Sequence, residues 1–291
     1  MSTATVGDYI ITSEVMQGRH GPIPVRHYQP RGAETLSRLV WLHGGSFLGG
    51  DLDMLEADQV GRALATYGIA VTSVEYPLAP VPPEFEVAAG GLRAGVHYPI
   101  AVDEIETVFL RLQDRTRSSW ALGGASAGGA LAASTAVRLR AASKTSPSSL
   151  VLVYPLLHRV LPAPSPSLAS QLAGAVLEPT PQEVTVMNEN YLGAGRTPDE
   201  VRGAFVGDGP VDDFPPALIV DSEVDLLRAS SQHFAAALIA AGNEVHYRVE
   251  PHTRHGHLNV PGAAATHTLR TIAGWLLARG PVTETNEEAL K

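Results

Sequence analysis

The chain of 291 residues contains no cysteine. This absence excludes disulfide bonds, thiolate nucleophiles and cysteine-ligated metals. Positive charge is also scarce, because 21 lysines and arginines stand against 30 aspartates and glutamates, a formal net charge of −9. That balance argues against nucleic acid or an anionic membrane surface as a partner.

Two kinds of segment are missing as well. The first eight residues contain no basic stretch followed by an apolar core, so no signal peptide is predicted. No apolar run is long enough to span a bilayer. We therefore expect a soluble, cytoplasmic protein without membrane contact, and the sequence leaves a homodimer open.

The apolar residues that are present predict an α/β fold. They make up 44% of the chain, which is enough for a sizeable core. Short apolar runs at residues 39–43, 69–76, 150–154 and 217–221 alternate with helical stretches. This alternation predicts a mostly parallel central sheet flanked by helices, with an antiparallel hairpin within residues 9–28 ahead of it.

The domain organisation expected from this pattern is a single domain over residues 1–291. The alternation breaks between about 160 and 213, where prolines cluster and one short helix is predicted to run through Tyr191. We interpret residues 160–213 as a small lid inserted into the domain. The polar tail over 280–291 is expected to be loose.

The strongest chemical signal is Gly124-Ala125-Ser126-Ala127-Gly128. An apolar strand-like run precedes it, and a helix of alanine and leucine follows. Gly-x-Ser-x-Gly between a strand and a helix is the spacing of a sharp turn that exposes a serine hydroxyl. The motif alone is weak in a chain so rich in glycine and alanine, but its context supports Ser126 as a nucleophile.

A serine nucleophile needs a base that accepts its proton and a carboxylate that orients the base. In one common arrangement, the acid and then the histidine follow the serine along the chain. Asp225, just past the predicted strand at 217–221, is the expected acid; capping of the next helix is its alternative role. His255, on the loop after the last strand, is the expected base, with His252 and His257 as rivals.

The third requirement is a set of donors for the oxyanion of a tetrahedral intermediate. The stretch His43-Gly44-Gly45-Ser46-Phe47 follows a predicted central strand and offers backbone N–H groups. An ordinary strand-to-helix turn and a phosphate cradle are the alternatives. The phosphate alternative lacks both Gly-Lys-Ser/Thr and the G-x-G-x-x-G spacing.

Together these blocks resemble the hormone-sensitive-lipase-like carboxylesterases, the bacterial family IV of α/β-hydrolases. The blocks occur in the family's order between about residues 21 and 277: Gly-Pro-Ile-Pro-Val-Arg, His-Gly-Gly-Ser-Phe, Tyr-Pro-Leu-Ala-Pro, Gly-Ala-Ser-Ala-Gly-Gly, Glu-x-Asp-x-Leu and His-Gly. The resemblance implies an α/β-hydrolase fold in which Ser126 is the nucleophile, Asp225 the acid and His255 the base.

The same resemblance implies an oxyanion hole built from the backbone of Gly45, Ser46 and Ala127, with Gly44 shaping the turn. It implies no cofactor and no metal. A small-molecule ester is the partner that it predicts.

The chain departs from the family pattern at several positions. Ser46 replaces the third glycine of the usual His-Gly-Gly-Gly, and its N–H is still expected to donate. Ala125 stands where the family more often has Asp or Thr. Residues 81–96 look inserted and are interpreted as covering an edge or bordering the site.

The N-terminal part departs most. The family carries cap helices there, whereas the first predicted strand begins near Tyr9, so a shortened cap is expected. The lid should then consist mainly of the 160–213 insertion. The predicted substrate-binding wall consists of Phe47, Met187, Asn188 and Tyr191.

The leading hypothesis is a carboxylic ester hydrolase that acts through an acyl-enzyme on short- to medium-chain or other small-molecule esters. A lactonase, amidase or carbamate hydrolase could use the same triad, because the triad does not choose the leaving group. A non-catalytic small-molecule receptor is the alternative from another class. Plant gibberellin receptors share this fold and a His-Gly-Gly-Ser motif but lack the histidine that corresponds to His255.

Overall fold

The computed structural model describes residues 8–32, 34–83, 85, 95–142 and 145–280. Within these ranges, eight strands form one sheet in the order β1-β2-β4-β3-β5-β6-β7-β8. The strands are β1 (Tyr9–Gln17), β2 (Pro22–Pro30), β3 (Ser37–Leu42), β4 (Ile69–Val74), β5 (Ala121–Ala125), β6 (Leu150–Val153), β7 (Ala217–Val224) and β8 (Val245–Arg254). The helices are α1 (Leu55–Ala65), α2 (Ile100–Thr116), α3 (Ala127–Ala141), α4 (Pro166–Leu172), α5 (Pro181–Leu192), α6 (Arg228–Ala240) and α7 (Ala263–Leu277).

The sheet is antiparallel at one edge and parallel elsewhere. Strands β1 and β2 form the predicted hairpin, and β2 pairs antiparallel with β4. Every neighbouring pair from β4 to β8 is parallel. Helices α1 and α7 cover one face, and α2, α3 and α6 cover the other. Strands covered on both faces are buried throughout, which is why the central ones read as continuous apolar runs. The α/β prediction is confirmed.

Strand β8 is longer than its apolar pattern predicts. The pattern predicts a strand over 245–249, whereas β8 continues to Arg254 because β7 continues beside it to Val224. The added pairs include Ser222 with Glu250, whose polar side chains carry no apolar signal. The extension matters because it brings the next residue, His255, to the carboxyl edge of the sheet.

The 160–213 insertion leaves the sheet after β6 and returns at β7. It contains the predicted helix α5, which begins with a capping box between Thr180 and Glu183, and also α4, which the sequence did not predict. The Ser134 hydroxyl on α3 donates to the Gly203 carbonyl at 2.6 Å, and the Tyr98 hydroxyl donates to the Arg202 carbonyl at 2.8 Å. The insertion is therefore fastened to the body of the domain, and its role as a lid stays a prediction.

Some sequence predictions concern residues outside the described ranges. These are the start of the chain at 1–7, most of the stretch interpreted as inserted at 81–96, and the tail over 281–291. Among the helices of the described ranges, none combines the length and apolar character that a bilayer crossing requires.

Candidate active site

Ser126 lies on the turn between β5 and α3, at the carboxyl edge of the sheet. Its backbone has φ 53° and ψ −119°, a positive-φ conformation that costs a non-glycine residue roughly 1–3 kcal/mol. The Ser126 amide donates to the Val153 carbonyl at 2.9 Å, which fixes the turn to the end of β6. Ser126, the candidate nucleophile, is thus held in a strained conformation by its neighbours.

The two motif glycines are required by close backbone contacts. A Cβ at Gly124 would overlap the backbone of Gly128, and a Cβ at Gly128 would overlap the carbonyl oxygens of Leu42 and His43. Helix α3 can therefore start directly against the end of β3 only because glycine occupies both positions. This packing brings the Ser126 turn and the turn after β3 side by side.

Three side chains from separate loops form one hydrogen-bonded chain. The Ser126 Oγ lies 2.9 Å from Nε2 of His255, and Nδ1 of His255 lies 2.7 Å from Oδ2 of Asp225. Asp225 is 2% exposed, and its other carboxylate oxygen accepts the Leu227 amide at 2.9 Å. Helix α6 begins at Arg228 without a side-chain cap, so the alternative role of Asp225 as a helix cap is wrong, and its second oxygen instead holds the turn that precedes the helix.

The charge environment of His255 favours the protonated ring. Burial disfavours the imidazolium form, but the neighbouring carboxylates, Asp225 first among them, outweigh this effect, and the pKa of His255 is raised. A proton held on Nδ1 by Asp225 leaves Nε2 free to accept the hydroxyl proton of Ser126.

The rival histidines have other surroundings. The side chain of His252 is 95% exposed. His257 is buried, with its two ring nitrogens each 2.9 Å from a hydroxyl, Ser222 on β7 and Thr268 on α7. Burial lowers the pKa of His257 to about 4, so its ring is neutral. The two hydrogen bonds of the ring connect β7 to α7. Neither histidine contacts Ser126.

The turn after β3 supplies the candidate oxyanion donors. No hydrogen bond within the described ranges uses the amides of Gly45, Ser46 or Ala127. These three N–H groups are therefore free to bind a substrate oxygen. The Gly44 amide is occupied, because it donates to Oε1 of Glu56 at 2.6 Å. A Cβ at Gly44 would lie 3.1 Å from Cβ of Ser126, which shows how close the two turns come.

The glycine turn is supported from behind by two aromatic rings. His43 and Tyr76 stack with ring centroids 4.4 Å apart, and the Tyr76 hydroxyl donates to the His43 carbonyl at 2.7 Å. Burial lowers the pKa of His43 to about 4, so the neutral ring can donate from Nδ1 to the Gly44 carbonyl at 2.7 Å. Tyr76 is the first residue of the Tyr-Pro-Leu-Ala-Pro block. That block is the sequence signal from which its supporting role at the glycine turn could have been predicted.

The four predicted wall residues separate into different surroundings. Phe47 stacks on Tyr191 with ring centroids 4.0 Å apart, directly beyond the oxyanion turn. Met187 is buried in the same core cluster. Asn188 is fully buried, and its side-chain amide donates to the Arg159 carbonyl at 2.7 Å, which holds the start of the insertion. The assignment of these four residues to a substrate wall stays a prediction.

A cleft beside α5 lies apart from the candidate triad. This cleft of about 560 Å³ is bordered by charged and polar side chains that include His97, Arg159 and Glu189, and it shares no residue with the triad or the oxyanion turn. Within the described ranges, no group of three or more His, Asp or Glu side chains is arranged to hold a metal ion.

The chain matches a known protein family. Residues 39–259 match the sequence profile of a family described as alpha/beta hydrolase fold. Carboxylic ester hydrolase LipN of Mycobacterium tuberculosis is 27% identical over 258 residues, which are 86% of this chain and 65% of LipN. The chain thus spans just under two thirds of that relative's length. An esterase of Acinetobacter venetianus is 27% identical over 234 residues, 78% of this chain and 71% of the relative.

A solved structure extends the similarity to three dimensions. The esterase of Pyrobaculum calidifontis superposes with a TM-score of 0.77 at 26% identity, covering 94% of this chain and 87% of that chain. The superposition extends well beyond residues 39–259, the range matched by the family profile.

Proposed function

This chain belongs to the α/β-hydrolase family, among the hormone-sensitive-lipase-like carboxylesterases, and we propose that it hydrolyses carboxylic esters with Ser126 as nucleophile. One observation carries the proposal: Ser126, His255 and Asp225 are joined by hydrogen bonds of 2.9 and 2.7 Å beside three unused amides. A nucleophile, its base, the orienting acid and oxyanion donors are the groups that acyl transfer requires.

Acylation begins when Oγ of Ser126 attacks the carbonyl carbon of the ester. The hydroxyl proton moves to Nε2 of His255, and the carbonyl electron pair moves onto oxygen. The resulting oxyanion accepts hydrogen bonds from the amides of Gly45, Ser46 and Ala127. Asp225 stabilises the imidazolium that has formed.

Collapse of this intermediate breaks the bond between the carbonyl carbon and the alcohol oxygen. Nε2 of His255 gives its proton to the departing alkoxide, and the acyl group stays on Ser126. Water then attacks the acyl-enzyme while His255 takes a proton from it. The bond to Oγ breaks, the serine regains the proton, and a carboxylic acid leaves. Water is the only co-reactant.

The preferred substrates in this proposal carry a short acyl chain. Phe47, Tyr191 and Phe205 pack ring against ring immediately beyond Ser46, with centroids 4.0 to 6.2 Å apart. All three rings are buried, so the space beside the oxyanion turn is filled by aromatic carbon and not by solvent. A long acyl chain would have to displace one of them, at a cost comparable to overpacking a core.

Hydrolysis of 4-nitrophenyl acetate by the wild-type protein and by Ser126→Ala tests the proposal. The variant should lose roughly four to six orders of magnitude in kcat while its melting temperature is preserved. Ser73→Ala is the matched control, because Ser73 on β4 is buried and its hydroxyl has no hydrogen-bond partner in the described ranges. The control should keep wild-type activity. Equal rates for Ser126→Ala and the wild type would refute the nucleophile.

A further inference from the structure

Glu56 on α1 is a buried carboxylate that the reaction above does not use. It is 2% exposed. Its Oε1 accepts the Gly44 amide at 2.6 Å, and its Oε2 accepts the Tyr154 hydroxyl at 2.8 Å. Its own amide donates to Oδ1 of Asn259 at 3.1 Å, and its carbonyl accepts the Trp41 indole N–H at 2.7 Å. The side chain is thus fixed at both ends.

The two groups bound by this carboxylate belong to opposite sides of the active site. Gly44 begins the oxyanion turn, and its neighbour Gly45 offers one of the unused amides. Tyr154, which follows β6, packs its ring edge-on against His255 with centroids 5.0 Å apart. Glu56 therefore connects the turn that binds the oxyanion to the ring that packs on the base.

Several elements of the fold place a charged, titratable or aromatic side chain near His255. They are Asp225 before α6, Asp221 on β7, Glu56 on α1, His257 after β8 and Tyr154 after β6. Burial raises the pKa of Asp221 to about 8, so this carboxyl is neutral at neutral pH, and the neutral His257 adds no charge there either. Of these carboxyls, Glu56 is the one besides Asp225 that accepts hydrogen bonds at both oxygens.

The hydrogen bonds around Glu56 suit its ionised form. The hydrogen bonds from Tyr154 and Gly44 and the charge of His255 lower its pKa, but burial outweighs them and the pKa of Glu56 is raised. Both carboxylate oxygens accept hydrogen bonds, from an amide and a hydroxyl. A proton on Oε1 would have no acceptor, because the Gly44 N–H can only donate, and a proton on Oε2 would require the Tyr154 hydroxyl to accept instead of donate.

We propose that Glu56 is a positioning residue for this reaction: its carboxylate fixes the oxyanion turn through Gly44 and, by its charge, stabilises the imidazolium of His255. The inference rests on the proposed ester hydrolysis. Glu56 touches no substrate and acts through Gly44, Tyr154 and the base. The stabilisation is greatest when the proton has reached His255, which is when the oxyanion needs its donors in position.

Glu56→Gln tests the charge with little change of shape, because the amide oxygen can still accept from Gly44. The His255 ring is titrated by NMR in histidine-labelled protein, with its signal assigned from its loss in His255→Ala. The pKa of His255 should fall by about half a unit or more. The acid limb of kcat/KM for 4-nitrophenyl acetate should shift by a similar amount, and kcat should fall about tenfold with KM less affected.

Glu75→Gln is the matched control. Glu75 is a half-buried carboxylate that accepts one backbone N–H, from Leu52 at 3.0 Å, and it contacts neither Gly44 nor Tyr154. Its variant should leave both the His255 titration and kcat unchanged. An unshifted His255 pKa in a folded Glu56→Gln protein would overturn the inference.

Tyr154→Phe covers the case in which Glu56→Gln does not fold. It removes one hydrogen-bond donor and keeps the charge, so kcat should fall several-fold without a lower His255 pKa. Wild-type kcat in this variant would also overturn the inference. The NMR titration needs no turnover, and failure of the wild type to hydrolyse any ester would reject the proposed function instead.

Discussion

Asp225 binds His255 through one carboxylate oxygen, with 2.7 Å between Oδ2 and Nδ1, while its other oxygen accepts the Leu227 amide at 2.9 Å. Because this second bond closes the turn ahead of α6 and holds the carboxylate in one orientation, the imidazole is held in one tautomer. The backbone of that turn thus fixes the orientation of the base, and the aspartate supplies the charge.

Asp225→Asn should lower kcat about 10⁴-fold with little loss of folding stability, because an amide can present its NH₂ to the ring and stabilise the wrong tautomer. Asp221→Asn is the matched control, since burial raises the pKa of Asp221 to about 8 and the native side chain is already neutral at pH 7. Its kcat at pH 7 should stay near wild type. Steady-state rates on 4-nitrophenyl acetate compare the two variants, and equal losses would contradict the assignment of the acid.

The pH dependence of kcat/KM should have an acid limb set by His255. Only the neutral ring accepts the proton of Ser126, so activity should be lost as pH falls through the pKa of the free enzyme. Asp225 raises this pKa against the effect of burial, so the midpoint should lie above the ordinary histidine value of about 6.5. A midpoint at or below that value would count against this electrostatic account.

Gly128→Ala should destabilise the fold by about 1–3 kcal/mol and abolish hydrolysis, because the added methyl group would overlap the Leu42 and His43 carbonyls. Gly274→Ala adds the same group in α7, where no described atom outside the helix's own backbone lies within 4 Å. That variant should gain about 0.5–1 kcal/mol and keep its activity, since alanine is the better helix former. Thermal unfolding and hydrolysis rates at one substrate concentration compare the two variants. Equal unfolding temperatures for Gly128→Ala and Gly274→Ala would refute the close-packing argument.

Tyr191→Leu should improve hydrolysis of esters with longer acyl chains, because it removes the ring that stacks on Phe47 with centroids 4.0 Å apart. The ratio of kcat/KM for hexanoate over acetate should rise about tenfold. Leu168→Ala is the control within the same insertion, since Leu168 is buried in a separate cluster with Leu172 and Ala229. It should lose stability without changing that ratio. An unchanged ratio in Tyr191→Leu would argue against Tyr191 as part of the substrate wall.

Local patterns in the sequence determined the class of fold and the chain order of the candidate triad. Runs of apolar residues specify buried strands wherever both faces are covered, and this requirement is readable residue by residue. The Gly-x-Ser-x-Gly turn is recognisable from its spacing alone, although the backbone contacts that require glycine at 124 and 128 include Leu42 and His43, which are distant in the chain.

Tertiary structure alone decided which distant groups meet. Ser126 and His255 are 129 residues apart in the chain, and their 2.9 Å contact depends on the polar extension of β8, which has no apolar periodicity. Glu56 lies in the first turn of α1, where an acidic residue is common, and only the tertiary structure buries it between Gly44 and Tyr154. Strand order and packing decide such contacts, because hydrogen-bond partners from separate elements leave no periodic trace along the chain.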